Sequence, residues 1–278
     1  MEPRHKRPVK KRAASGSHVE RRSQVEGRQA VLEMLRSGRP VDRLLIAQGS
    51  RGRTVDELVQ AAEARGVRIE PVEGQVLDGL SRTGRHQGVI AIGPAPLVWE
   101  LDDLLRALTG RKEALILACD QVQDPQNVGA LVRSADAAGA DGVVVPARRN
   151  AALTPAVERA AAGATSYLPW VEVVNLARAL GRLQEAGFWV IGLDAAGEES
   201  LWEADLPRRL VVVVGSEGTG LRPLVRQRCD RLVRIPMRGH VGSLNVSVAG
   251  ALCLFEVLRR RMLERPGEGP SPAPGGGA

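Results

Sequence analysis

The sequence predicts an α/β protein in two parts, a small α/β N-terminal domain followed by a larger α/β domain built on a parallel sheet. Three observations carry this. From residue 114 onward, short apolar runs alternate with amphipathic stretches, strand then helix, which is the pattern of a parallel sheet covered on both faces. Upstream, a shorter alternation ends at Pro94 and Pro96, a natural break. The length of 278 residues, with 44% hydrophobic and 26% charged, suits a globular protein with two modest cores.

The elements follow in order. In EGRQAVLEML, residues 26–35, apolar side chains at 30, 31, 34 and 35 mark an amphipathic helix. A strand over 43–47, a helix over 55–64, a strand over 67–70, a helix near 75–80 and the strand HQGVIAI over 86–92 complete the first unit, assigned to 23–94. Residues 95–112 read as a linker with a short helix over 101–108. In the second unit, 113–264, strands are expected at 114–119, 142–145, 168–171, 188–193, 210–214 and 232–235. Helices are expected at 128–138, 155–162, 176–186, 221–227 and 244–262. Residues 265–278, rich in Gly and Pro, have nothing apolar to bury and are expected to be disordered.

The net charge of +7 is concentrated at the start, where eight Arg and Lys face two Glu in residues 1–22. A basic arm on a nearly neutral body suits attraction of a polyphosphate; a solvated, disordered tail is the alternative. No run approaches the roughly 18 apolar residues of a membrane span, and the first residues lack an apolar signal core, so a cytoplasmic protein is expected. Cys119, Cys229 and Cys253 are odd in number, lack CxxC spacing and sit in apolar runs, as buried thiols do. His5, His18, His86 and His240 are scattered, and no metal site is expected.

Three loops at predicted strand ends could do chemistry, the place where open α/β sheets bind ligands. In DPQNVGALVR, residues 124–133, Pro125 breaks the chain, Asn127 opens a helix, Gly129 permits close backbone approach and Arg133 lies six residues further on. Either Asn127 only caps that helix and Arg133 is a surface charge, or both serve a ligand at the helix start. VVVVGSEGTGL, residues 211–221, is not a P-loop, and its glycines run opposite to the dinucleotide fingerprint. It offers open backbone groups beside the carboxylate of Glu217. In IPMRGHVGSLNVSVAGA, residues 235–251, Ser243 is a natural cap and Asn245 sits in the first turn of an apolar helix.

DQVQDPQNVGALVRSADAAG (120–139), VVGSEGTGL (213–221) and IPMRGHVGSLNVSVAGA resemble, in order and spacing, the three motifs of the SpoU/TrmH RNA 2′-O-methyltransferases. The preceding unit is similar to the ribosomal-protein-L30e-like substrate-binding domain of the RlmB-like branch, and VNLARAL, residues 174–180, fits that branch too. That resemblance implies a SPOUT domain with a C-terminal trefoil knot. It further implies S-adenosylmethionine as cofactor, a homodimer completing the pocket, and a guanosine ribose in large-subunit rRNA as substrate. By position, Gly215, Ile235, Met237 and Leu244 would hold the cofactor. Arg133, Asn127, Glu217, Ser243 and Asn245 match the family's catalytic residues. Ser216 departs from the asparagine or alanine often found there, and the 3% aromatic content leaves no visible base-stacking platform. RNA recognition would then rest on Arg contacts and backbone shape. A ribose methyltransferase acting on tRNA or conferring antibiotic resistance, and a non-catalytic RNA-binding protein, are the alternatives. A nicotinamide dehydrogenase is disfavoured by the glycine order.

Overall fold

The computed structural model describes residues 22–264 of the 278-residue chain. All of the basic arm except Arg22, and the whole Gly/Pro-rich tail, lie outside the described residues. The first unit runs β1 (Arg22–Glu26), α1 (Arg28–Arg36), β2 (Arg43–Ala47), α2 (Arg53–Glu63), β3 (Arg68–Val72), α3 (Gly74–Leu80) and β4 (Val89–Pro94). Its four strands lie in the order β1-β4-β2-β3; β4 is antiparallel to both neighbours and β2 is parallel to β3. Helices α1 and α2 pack Val31, Leu35, Leu58 and Ala62 against Leu44, Val89 and Ala91 on one face, while Leu77 of α3 joins Leu45 and Ile90 on the other.

Strand β1 runs from the last residue of the expected tail to the first of the expected helix, where no strand was expected. Its apolar content is too low to announce a strand, and pairing with β4 over Arg22–Pro94 to Glu26–Ile90 makes it one. The helix therefore starts at Arg28, after Gly27.

The second unit continues β5 (Val98–Trp99), α4 (Leu101–Ala107), β6 (Ala114–Asp120), α5 (Pro125–Ala137), β7 (Gly142–Pro146), α6 (Pro155–Ala160), β8 (Trp170–Val173) and α7 (Leu176–Glu185). It ends with β9 (Trp189–Leu193), β10 (Glu199–Ser200), β11 (Arg209–Gly215), α8 (Pro223–Arg226), β12 (Arg231–Arg234) and α9 (Val246–Leu263). The eight strands stand in the order β10-β12-β9-β11-β6-β7-β8-β5, and every neighbouring pair is parallel.

All seven residues of β6 are buried, because β6 is central and covered on both faces. Leu115, Leu117 and Cys119 face α5, α6 and α9; Ala114, Ile116 and Ala118 face α4, α7 and α8. The stretch expected as a linker is part of this body. Val98 and Trp99 pair with β8, and Leu101, Leu104 and Leu108 are buried under the sheet. Two-residue strands such as β5 and β10 leave no periodicity to detect.

Candidate active site

The three loops meet at the carboxyl ends of β6, β11 and β12. Helix α5 is capped by Asp124, whose side chain accepts from the Gln126 amide, with Pro125 at the first helical position. Asn127 is therefore not a cap. It lies inside the first turn, 8% exposed, with its side chain free to point at the other loops. The close approach allowed by Gly129 is made to α6, not to a ligand. A Cβ there would fall 2.3 Å from Cβ of Ala160.

The second loop forms a tight turn in which Ser216 and Gly220 exchange backbone hydrogen bonds of 3.1 and 3.0 Å. It is fastened to β6 by Asp120, which is fully buried. Asp120 accepts from the backbone amide of Arg222 at 2.8 Å and from its guanidinium at 2.7 Å. In the third loop, Asn245 rather than Ser243 caps α9, its Oδ1 accepting from the amides of Ser247 (2.9 Å) and Val248 (3.4 Å). Ser243 stays in the loop, exposed at the cavity wall.

One carboxylate oxygen joins all three. Glu217 Oε1 accepts from Asn127 Nδ2 and from Asn245 Nδ2, each at 2.7 Å, and Asn245 Nδ2 also lies 3.0 Å from Asn127 Oδ1. With its oxygen held by the helix and its amide group by the acid, Asn245 has one orientation.

Beside this cluster is a cavity of about 520 Å³, in the range of small-molecule sites. Gly215, Ile235, Met237 and Leu244 line it, as do Glu217, Ser243 and Asn245. Two expected residues do not. Asn127 reaches the site through Glu217, and Arg133 is exposed on α5, about 120° around the helix from Asn127.

Sequence reasoning missed Asp194 and Arg226, which line the same cavity and pair at 2.9 Å. Asp194 follows β9, which sits between β12 and β11, so its strand end opens between the two Gly-rich loops. The signal available was the rule that every carboxyl end of a parallel sheet is a candidate.

The cavity fits an S-adenosyl group on two counts. Backbone atoms of Gly218, Gly220 and Gly242 face it without side chains, and a Cβ added at any of them would meet nothing within 4 Å. Val214, Ile235, Leu244 and Ala249 supply an apolar wall for a flat ring. Among the described residues no group of His, Cys, Asp or Glu could hold a metal ion, and no helix is long and apolar enough to cross a membrane. The three thiols are free, and burial, the main cause, pushes each up to about 12, so they stay protonated and unreactive at neutral pH.

Comparisons with known proteins agree with this geometry. The SpoU rRNA Methylase family profile matches residues 114–255, and a profile described as RNA 2′-O ribose methyltransferase substrate binding matches residues 24–97. The chain is 44% identical over 237 residues to the 23S rRNA (guanosine-2′-O-)-methyltransferase RlmB of Ralstonia nicotianae, covering 84% of this chain and 94% of that enzyme. A crystal structure of an RNA 2′-O ribose methyltransferase is similar at a TM-score of 0.74 and 31% identity, covering 87% of this chain and 90% of the other. The AdoMet complex of the SpoU methyltransferase AviRb from Streptomyces viridochromogenes is similar at 0.72 and 25%, covering 87% and 91%. With a parallel α/β sheet, three motif loops on one cavity and these matches over most of its length, the chain belongs to the SpoU rRNA methylase family of S-adenosylmethionine-dependent RNA 2′-O-methyltransferases.

Proposed function

We propose that this protein methylates the 2′-hydroxyl of a guanosine in large-subunit rRNA. The observation that carries the reading is the convergence of Asn127, Glu217 and Asn245, drawn from three separate loops, on one carboxylate oxygen at the cavity edge. A protein that only bound RNA would not need that arrangement. The likeness to the Ralstonia enzyme favours guanosine in 23S rRNA over a tRNA target.

S-adenosylmethionine, when bound, supplies the methyl group as a sulfonium electrophile. Gly215, Ile235, Met237 and Leu244 would hold it, chiefly through backbone groups and an apolar wall. Methyl transfer is an in-line displacement, so this chain's residues act by orientation and charge placement. Glu217 fixes the amides of Asn127 and Asn245, while the exposed hydroxyl of Ser243 would hydrogen-bond the ribose.

Arg133 is the family's candidate for drawing the proton from the 2′-oxygen, yet a free guanidinium is almost always protonated. Gripping the adjacent phosphate and aligning the hydroxyl is the role its chemistry favours.

Its exposed position has a simple explanation in a homodimer. Along α9, Val248, Leu252, Phe255 and Met262 form an exposed apolar stripe, and α9 packs on α5. A second copy seated on that stripe would place Arg133 at the pocket of the facing protomer. The trefoil knot belongs to the same reading. After β12, which lies beyond β9, the chain returns to seat α9 against α5 and β11, a return that a knot would pass through the glycine-rich loop. The exposed arginines Arg82 and Arg85, on the loop before β4, would contact RNA phosphates from the first unit.

The test is to incubate the purified protein with labelled S-adenosylmethionine and undermodified large-subunit rRNA, then map the label by digestion. A single 2′-O-methylguanosine is expected, lost in Glu217→Ala and Arg133→Ala variants that keep their fold. Label only in tRNA would move the substrate, and no binding of the donor would overturn the enzymatic reading.

A further inference from the structure

The two sheets are joined by only residues 95–97 between β4 and β5, yet side chains fasten them far more tightly than that link. Arg39, in the turn between α1 and β2, donates to Glu158 Oε1 on α6 at 2.5 Å and to Ser23 Oγ on β1 at 2.9 Å. It also reaches the carbonyl of Pro94 at the end of β4, at 3.3 Å. Ser23 Oγ donates to the other carboxylate oxygen of Glu158 at 3.1 Å. The Arg39 and Glu158 side chains are 9% and 2% exposed, so the pair is closed off from water. A second contact runs beside it. The Tyr167 hydroxyl donates to Glu33 Oε2 at 2.8 Å, and a Cβ at Gly163 would sit 2.2 Å from Cβ of Glu33, so α1 lies on bare backbone of the second unit.

We propose that the Arg39–Ser23–Glu158 contact is an interdomain lock that holds the N-terminal unit at one orientation against α6, and so sets the spacing between RNA gripped by that unit and the methyl-transfer site. The docking stands on the geometry alone; its catalytic consequence rests on the RNA-methylation reading. A buried ion pair adds little net stability against an apolar pair, but it is directional and tolerates no slippage. Interfaces between domains of one chain are mobile by default unless large and apolar, so rigidity here resides in these few groups.

The lock also leads to the site by packed contacts. α6 bears on α5 at the Ala160–Gly129 approach, and α5 carries Asn127 in its first turn. Fixing both anchor points on one RNA makes the second contact intramolecular, and losing the fixed spacing lowers its effective concentration. Arg39, Ser23 and Glu158 are thus positioning residues that touch neither cavity nor cofactor.

The test compares the full-length protein with its Glu158→Ala and Glu158→Gln variants. For Glu158→Ala, amide exchange should accelerate in residues 22–39 and 155–167, and solution scattering should show a larger radius of gyration. Its KM for rRNA should rise about tenfold, with kcat and S-adenosylmethionine affinity within about twofold of the parent. Glu158→Gln keeps one oxygen that can accept from Arg39, while its amide NH2 replaces the oxygen that accepted from Ser23, and it should recover part of the KM. Unchanged exchange and KM in Glu158→Ala would overturn the lock, as would equal losses in kcat and donor affinity at constant KM. Should that variant not fold, Arg39→Lys is measured in the same way. Lysine cannot bridge all three acceptors, so the same KM rise is expected and its absence is equally fatal. If the parent methylates no RNA, exchange and scattering still decide the docking, and the methylation reading fails separately.

Discussion

Two loops of this molecule, one in each unit, are pinned by a fully buried carboxylate, and they are pinned in opposite ways. Glu26 holds the loop between α3 and β4. Its oxygens accept from Ser81 Oγ at 2.7 Å, from the amides of Arg82 and Thr83 at 2.7 and 3.3 Å, from Gln24 Nε2 at 2.8 Å and from the Thr83 hydroxyl. Asp120 holds the loop after β11 through the amide and guanidinium of Arg222. The first anchor uses neutral donors and leaves Arg82 and Arg85 in solvent; the second consumes the loop's own arginine. The first loop keeps its cations in solvent, where they would be open to a polyanion. The second ties its cation to a buried acid and leaves Glu217 at the rim of the cavity.

The largest effect that could break this comparison is on Asp120. Asp120→Ala removes the carboxylate that accepts from the Arg222 guanidinium and amide and frees the 216–222 loop. Donor affinity should fall more than tenfold and methylation about a hundredfold, measured by calorimetry and label transfer, with folding weakened by about 2–3 kcal/mol. Glu26→Ala should instead leave donor affinity intact and weaken rRNA binding about tenfold, because the loop that carries Arg82 and Arg85 loses its shape. Equal effects of both variants on donor and RNA would dissolve the distinction.

Acid sharpens it further. Burial alone would raise the Glu26 carboxyl, but hydrogen bonds from Thr83, Ser81, Arg82 and Gln24 outweigh it and hold it below its ordinary 4.5. A depressed carboxyl contributes stability that is present above the ordinary range and lost as pH falls through it. Denaturant titrations between about pH 6 and 3 should therefore show a slope that Glu26→Gln flattens. An unchanged slope would mean that the carboxylate is not what holds the loop.

The smallest effect is backbone strain. Gly84 and Gly220 have φ of 66° and 65° with open space where a Cβ would stand. Alanine at either should cost about 1 kcal/mol in urea unfolding. Only Gly220→Ala should weaken donor binding, and only Gly84→Ala should weaken RNA binding.

Much of the fold was legible because its signals are local. Strand β2 and the starts of β6, β7 and α7 fall where apolar runs and caps place them, and the three motif loops lie at strand ends as expected. What failed locally failed for reasons that can be named. In DPQN, both Asp124 and Asn127 are able caps, and Pro125 at the first helical position gives the task to Asp124, freeing Asn127 for the site. In GSLN, Asn245 takes the cap expected of Ser243, which does not stop it from meeting Glu217. Strands β5 and β10 exist only because a neighbouring edge pairs with them.

The sequence by itself determined the α/β class and which polar residue types stand at the strand ends, since periodicity, turn residues and motif spacing act over a few residues. Tertiary structure alone decided which of those residues meet. Asn127 and Glu217 lie 90 positions apart, Asn127 and Asn245 118, Asp120 and Arg222 102, and Arg39 and Glu158 119. Contacts of that separation leave no local pattern. They are set by which strands pair and which helices pack, here by the placement of β9 and β11 between β12 and β6, and by the closing of α6 onto the first unit.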